Sequence, residues 1–472
     1  MPTGELPWKS ILAIGETAWI VGLVVFILLE RRSPVATLAW IFGLVLLPFF
    51  GVPVYFLLGP RRLRRRKLKY KDKRVGVTRA LSDLRARMPL GDASRLARIG
   101  ERLQHTHVST ASRIAIHHDG DAAYDRIVAA VEAAQHHVHI EYYIYETDRQ
   151  RIRLRDALVR ARDRGVEVRI LVDAVGSPSA GSTFFASLTR AGGHALRFQP
   201  PRFGLRWTRL FNFRTHRKIV IVDGTTGFTG GMNWSSCHSR TDSGDDAWRD
   251  THVELEGQVV ADLQRTFVEN WVYSEGDSPT TAPYFPKVEP GPDLVQILRS
   301  GPDRDVFPIH AFIFSAIATA QYRVLLTTPY LVPDAATLFA LKTTALRGVK
   351  VEILVPLCSD SRLVTFAARS YFEELIDAGC RIYTYNPCML HAKLLVVDDV
   401  AAIGTANFDN RSFRLNFEVM AVLYGKDQAA KLAAQFALDL ELATPVIRQH
   451  VHNESIAVRL AESAARLGSP LL

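Results

Sequence analysis

Cysteine is scarce. There are four in 472 residues (Cys237, Cys358, Cys380 and Cys388), with no Cys-x-x-Cys pair and no zinc-type spacing. This excludes a zinc-ribbon scaffold and fits free thiols in a reducing compartment, with a disulfide left open. A broad excess of charge is lacking too. The net charge is +10, but "RRLRRRKLKYKDKR" (Arg61 to Arg74) holds ten basic residues and one acid, so the rest is close to neutral. A nucleic-acid groove would be basic over a wide face, which argues against a nuclease. At 48% hydrophobic residues the chain supports a sizeable core, which excludes global disorder.

Long apolar runs, by contrast, are present. Ile11 to Leu29 and Val35 to Leu58 are 19 and 24 residues long, each about the length of a bilayer-crossing helix. A cleaved signal peptide fits the first poorly, because the run is too long and no small-residue cleavage site follows. The dense positive flank after Leu58 is expected to stay cytoplasmic. Arg31 and Arg32 in the turn resist translocation, and Pro48 and Pro53 interrupt the second run, so a re-entrant hairpin stays open beside two full spans. The expected organisation is an anchor over 1–60 and a basic juxtamembrane region and linker over 61–110.

Beyond the linker the chain repeats itself. "VHIEYYIYETD" (from Val138) is matched by "VLLTTPYLVPD" (from Val324), "RGVEVRILV" (from Arg164) by "RGVKVEILV" (from Arg347), and "AGGHALRF" (from Ala191) by "AGCRIYTY" (from Ala378). "HRKIVIVD" (His216 to Asp223) is matched by "HAKLLVVD" (His391 to Asp398). "GGMN" and "GTAN" follow, ending at Asn233 and Asn407. Alternating strand and helix patterns make each copy α/β. The copies are placed at 111–275 and 290–445, joined by a Pro-, Gly- and Ser-rich linker from Ser274 to Pro292, with an uninterpreted tail over 446–472.

Each copy supplies His, Lys, Asp and Asn in one order. A carboxylate then opens the next strand, Asp250 in the first copy and Glu418 in the second. Residues two apart in a strand share a face, so His216 and Lys218 point together, as do His391 and Lys393. A basic pair beside a buried strand needs an anion. If both copies face one cleft about a pseudo-twofold axis, Lys218, Lys393, Asn233 and Asn407 surround a phosphate with donors. One neutral imidazole attacks phosphorus and a protonated one serves the leaving oxygen. Asp250 and Glu418 suit the orienting of the histidines. Asp223 and Asp398 complete the motif but lie an odd number of residues from their histidines, so they read as structural and not as proton carriers. No cluster has metal spacing; neither metal nor cofactor is expected. The second copy has five residues between Asp398 and Gly404 against six between Asp223 and Gly230, which makes Asn407 the less securely placed asparagine.

The duplicated HxKxxxxD motif resembles the phospholipase D superfamily. The two N-terminal apolar segments, "ATLAWI", "TPYLVPD" and "DNRSFRLNFE" resemble the bacterial cardiolipin synthases within it. The likeness runs over nearly the whole chain. It implies two tandem phospholipase D-like α/β sandwich domains with an N-terminal membrane-helix hairpin, placed at the bacterial inner membrane with the catalytic domains facing the cytoplasm. It also implies metal-independent transphosphatidylation of two phosphatidylglycerols to cardiolipin and glycerol through a phosphatidyl-histidine, with phosphatidylethanolamine as a further candidate lipid. By analogy His216 is the nucleophile and His391 the acid. Lys218, Asn233, Lys393 and Asn407 match the phosphate-binding positions, and Asp250 and Glu418 the His-orienting ones.

Tethering would raise the effective concentration of lipid substrates. The basic run would either hold the cleft at an anionic surface or act only as a topology signal. "PPRFGLRWTRLFNF" (Pro200 to Phe213) reads equally as an interfacial or a packed loop. Three rivals share parts of the pattern. A hydrolytic phospholipase D differs only in admitting water, a nuclease would need a basic groove, and a non-catalytic scaffold would not need two intact motif sets.

Overall fold

The structure, a computed structural model, describes residues 8–29, 34–46, 70, 72–77, 95–146, 149–200, 213–303, 306–449 and 455–469. The arginine-rich positions 61–69, the second half of the second apolar run (47–58) and the aromatic loop 201–212 lie outside the described residues. The chain divides into two compact units, Met1–Lys69 and Tyr70–Leu472. In the first, helices Trp8–Leu29 and Pro34–Leu46 contact each other. No helix among the described residues is both long and apolar enough to cross a membrane.

The second unit holds both copies. The first eight strands are β1 (Ser109–Ala111), β2 (Arg113–His117), β3 (His137–Tyr142), β4 (Glu167–Asp173), β5 (His194–Phe198), β6 (Ile219–Val222), β7 (Thr226–Gly230) and β8 (His252–Glu256). The next five are β9 (Asp293–Ser300), β10 (Arg323–Thr327), β11 (Leu331–Val332), β12 (Lys350–Pro356) and β13 (Arg381–Tyr385). Then come β14 (Leu394–Val397), β15 (Val400–Gly404), β16 (Phe408–Asp409), β17 (Glu418–Tyr424) and β18 (Ala443–Pro445). One sheet has the order β2-β8-β7-β6-β3-β4-β5. The other is β1-β9-β17-β15-β14-β10-β12-β13-β18, which without its two edge strands repeats the first topology strand for strand.

β6 is β-branched throughout because it is covered on both faces. Val220 and Val222 share a core with Ile127 and Val131 of helix Gly120–Ala133, and helix Val260–Tyr273 packs from the other side. Each helix start follows local chemistry: Asp119 accepts from the Ala122 N–H, and Asp334, the acid ending "TPYLVPD", accepts from that of Thr337.

Two elements depart from the sequence reading. β1 pairs not with its own copy but with β9 of the second sheet, so the chain entering the first copy laces the two together. The tail forms helix Ile456–Leu467, capped by Ser455 and held by Arg369–Glu462 at 2.9 Å and Arg466–Glu374 at 2.6 Å. The one-residue deletion falls in a hairpin turn. β6 and β7 turn through Asp223–Thr225, β14 and β15 through Asp398–Asp399, and Ile219↔Thr229 matches Leu394↔Ile403. The shorter turn is at the end away from the asparagines, so Asn407 is positioned as Asn233 is.

Candidate active site

Two short backbone bridges join the copies, and they are reciprocal. Thr215 pairs with Phe417, and Arg249 pairs with Leu390. In both cases the residue before a histidine meets the residue before the other copy's carboxylate. His216 N–H donates to the Phe417 carbonyl at 2.9 Å, and His391 N–H to that of Arg249 at 2.8 Å.

The consequence is an exchange of carboxylates. His216 Nδ1 lies 3.0 Å from Glu418 Oε2, and His391 Nδ1 lies 2.6 Å from Asp250 Oδ2. An ionised carboxylate only accepts, so each Nδ1 carries the proton and each Nε2 is left for chemistry. Glu418 is fixed further by Thr405 Oγ1 and by Asn416 Nδ2 at 3.2 Å, and Asp250 by the Thr251 N–H at 2.6 Å. The Gly231 position explains the difference in acid. A Cβ there would lie 2.1 Å from Asp250 Oδ1. The second copy has Thr405 at that position and reaches it with the longer glutamate.

All eight of His216, Lys218, Asn233, Asp250, His391, Lys393, Asn407 and Glu418 are buried. Lys218 Nζ donates to its own histidine's carbonyl at 2.9 Å, and Lys393 makes the same bond to His391. Burial pushes the Lys218 ammonium down to about 7, helped by Lys393, and burial pushes Lys393 down to about 8 despite Asp250 and Glu418. His216 falls below its ordinary value through burial and Lys218, against the pull of Glu418. Burial lowers His391 well below it, and Lys393, Lys218 and His216 add to the shift. Glu418 is lowered, because His216 and Lys218 outweigh the penalty of burial. Two buried lysines and two imidazole Nε2 atoms converge here, with Glu418 and Asp250 taken up by the histidine Nδ1 atoms, which leaves a donor-rich site suited to an anion. The Oδ1 atoms of Asn233 and Asn407 have no partner among the described residues, so each carboxamide keeps unused bonding capacity.

Asp223 and Asp398 are placed elsewhere. Asp223 accepts from the N–H groups of Gln135, His136 and His137 at 2.8–2.9 Å. Asp398 accepts from those of Gln321, Tyr322 and Arg323 at 2.8–3.0 Å. Both stand at the far end of their strands in left-handed backbone, with φ of 54° and 50°, a conformation Asp tolerates better than most residues. They clamp a turn to the neighbouring strand. Members of the motif by sequence, the two acids stand apart from its chemistry: among the described residues neither hydrogen-bonds to a site side chain.

Several neighbours had not been singled out from sequence. Tyr143 packs edge-on against His216 at 5.0 Å, and Trp248 lies 5.1 Å from His391. His238 Nε2 accepts the Asn233 N–H at 3.2 Å, and Ser412 Oγ accepts that of Asn407 at 3.1 Å. Both partners sit five residues after their asparagine, a spacing readable in the two copies. His238, Asp250 and His391 also cluster closely enough to suggest a metal site. The donor set does not fit one. His238 Nε2 is already an acceptor, which puts the ring proton on Nδ1, and His391 Nδ1 is engaged with Asp250.

A family model described as "Cardiolipin synthase, PLD-like domain" matches residues 127–271 and 313–440, and one described as "Phospholipase_D-nuclease N-terminal" matches 17–60. The chain is 37% identical to a cardiolipin synthase of Geobacillus sp. (strain WCH70), over 98% of its own length and 95% of the relative's. It is 38% identical to cardiolipin synthase 2 of Bacillus anthracis, covering 97% and 90%. Among solved structures, a phosphatidylserine synthase from Haemophilus influenzae Rd KW20 aligns with a TM-score of 0.61 at 13% identity, over 81% of this chain and 100% of that one. At that identity the likeness is one of fold.

Proposed function

Because the chain belongs to the cardiolipin synthase family of the phospholipase D superfamily, we propose that its paired motifs form one centre converting two phosphatidylglycerols into cardiolipin and glycerol. The observation that carries this reading is the reciprocal exchange of Glu418 and Asp250, which makes neither half-site complete alone.

His216 Nε2 attacks the phosphorus of the first phosphatidylglycerol. The phosphorus–oxygen bond to the headgroup glycerol breaks, and His391 gives that oxygen its proton. His391 then takes the proton from a hydroxyl of the second phosphatidylglycerol. That oxygen attacks phosphorus, the nitrogen–phosphorus bond breaks, and cardiolipin leaves with His216 restored. Lys218, Lys393, Asn233 and Asn407 hold the phosphoryl oxygens. The bound anion restores the charge of the lysines and of the acid histidine, which burial and the neighbouring cations suppress.

The N-terminal unit holds the enzyme at the membrane in this proposal. Ile14, Trp19, Leu28, Leu29 and Phe42 leave large apolar side chains exposed on its two helices, which suits lipid better than water. The basic run that follows favours the cytoplasmic side. The test is incubation of the purified protein with phosphatidylglycerol vesicles in EDTA, with products identified by mass spectrometry. Cardiolipin and free glycerol in equal amounts support the reading. Phosphatidic acid without cardiolipin makes the enzyme a hydrolase, and lipid left unchanged, with phosphatidylethanolamine added or not, removes the proposal.

A further inference from the structure

The two histidines do not stand on equivalent ground. In the first copy the residue before the histidine is Thr215, whose Oγ1 donates to the buried carboxylate of Glu141. Asn270 Nδ2 donates to the same Glu141 oxygen. In the second copy the corresponding residues are apolar or short: Leu390 precedes His391, and Thr327 occupies on β10 the register position of Glu141 on β3.

The first-copy network ends in a residue from outside the repeat. Tyr70, 3% exposed, donates its hydroxyl to Asn270 Oδ1 at 2.6 Å. Its ring lies 4.6 Å from that of Phe417 and 4.8 Å from that of Tyr273. Phe417 is the residue whose carbonyl takes the His216 N–H, and it immediately precedes Glu418. Tyr70 therefore reaches His216 through Asn270, Glu141 and Thr215 on one side and through Phe417 on the other, and its hydroxyl also meets Arg217, the residue after the histidine. The residues that follow pin it in place. Lys73 Nζ donates to the Val272 carbonyl at 3.1 Å, and Arg74 pairs with the buried Asp303 at 2.6 Å.

We infer that Tyr70 is a positioning residue for His216, its hydroxyl fixing the Asn270 amide so that Glu141 holds Thr215 and the histidine beside it. An amide has one acceptor and one donor end. With the acceptor end held by Tyr70, the donor end must face Glu141. Without the hydroxyl the amide is free to turn, and the carboxylate loses a donor in a site with no water-like dielectric to replace it. None of Tyr70, Asn270, Glu141 and Thr215 is among the groups assigned to the phosphate, so loss of the network is expected to move the nucleophile without altering lipid binding.

This inference rests on the functional reading above, in which His216 attacks phosphorus. The experiment compares full-length wild type, Tyr70→Phe, Thr215→Val and the double variant on phosphatidylglycerol vesicles in EDTA. kcat, KM and thermal midpoint are measured for each. Tyr70→Phe is expected to lower kcat on the order of tenfold with KM unchanged, since small misplacements of a reacting group are costly. On the Thr215→Val background the same substitution is expected to cost nothing further, because the two groups serve one network. An unchanged kcat in Tyr70→Phe, a fall in thermal midpoint alone, or losses that multiply in the double variant would each overturn the inference. Wild type that turns over no lipid would instead remove the functional reading and the inference with it.

Discussion

Glu418, carried by the second copy, holds Nδ1 of His216 in the first at 3.0 Å, and Asp250 returns the contact to His391. The exchange follows from the backbone. The residue before each histidine bridges to the residue before the opposite carboxylate, so the side chains that follow are delivered across the seam. Neutralising either acid is therefore expected to disable a histidine in the other half. Glu418→Gln and Asp250→Asn should each lower kcat by ~10²–10⁴-fold, the range for losing the partner that fixes a catalytic imidazole. Steady-state kinetics on variants with wild-type circular dichroism checks this.

The buried lysines set an alkaline limit. In the free enzyme burial pushes Lys218 down to about 7 and Lys393 down to about 8, so affinity for an anionic lipid is expected to fall as pH rises through that range. kcat/KM should decline there while kcat, which reports the phosphate-bound state, holds to higher pH.

The same shifts act on stability with the opposite sense. The unfolded lysines keep their protons up to the ordinary value of 10.5, so between pH 7 and 10 the unfolded chain binds more protons, and stability from these two groups rises with pH. Lys218→Met should raise the thermal midpoint at neutral pH, flatten its dependence on pH and abolish turnover. A calorimetric pH series on wild type and variant provides the comparison.

Asp223 and Asp398 are expected to behave as structural residues. Asp223→Ala leaves three backbone donors without their acceptor and puts a poorly suited residue at positive φ, a loss of ~1–3 kcal/mol. Asp223→Asn should be milder, because asparagine tolerates that backbone and still accepts. In both, kcat of the folded enzyme should stay near wild type, as thermal melts run beside activity assays would show.

Metal removal should have no effect. Lys218 and Lys393 supply the positive charge beside the phosphate site, and in the cluster of His238, Asp250 and His391 the His238 Nε2 and His391 Nδ1 atoms are already committed to hydrogen bonds. Dialysis against EDTA, followed by assay with and without added Mg²⁺, Ca²⁺ or Zn²⁺, is the check.

Much of this architecture is legible in the residue order. The run Ile219–Val222 announces a strand covered on both faces, and the paired His, Lys and Asn spacing announces two copies of one half-site. What is not legible depends on contacts between halves. Nothing along the chain says that Glu418 serves His216, because that choice is made by the Thr215–Phe417 bridge, 202 residues apart. Tyr70 is hidden differently. It sits in a run so rich in Lys and Arg that charge dominates its reading, while its own role comes from a buried hydroxyl. The final helix carried local signals, Ser455 before it and Gly468 after it, that a search for catalytic motifs passes over.

The measurement closest to the central claim is the stoichiometry and position of the covalent intermediate. Turnover of phosphatidylglycerol would be quenched with alkali, where phosphohistidine survives, and the chain digested and mapped by mass spectrometry. One phosphatidyl-histidine per chain, at His216, is the expected result. Adducts at both His216 and His391 in the same chain would mean two independent centres and would contradict a single site shared by the two copies.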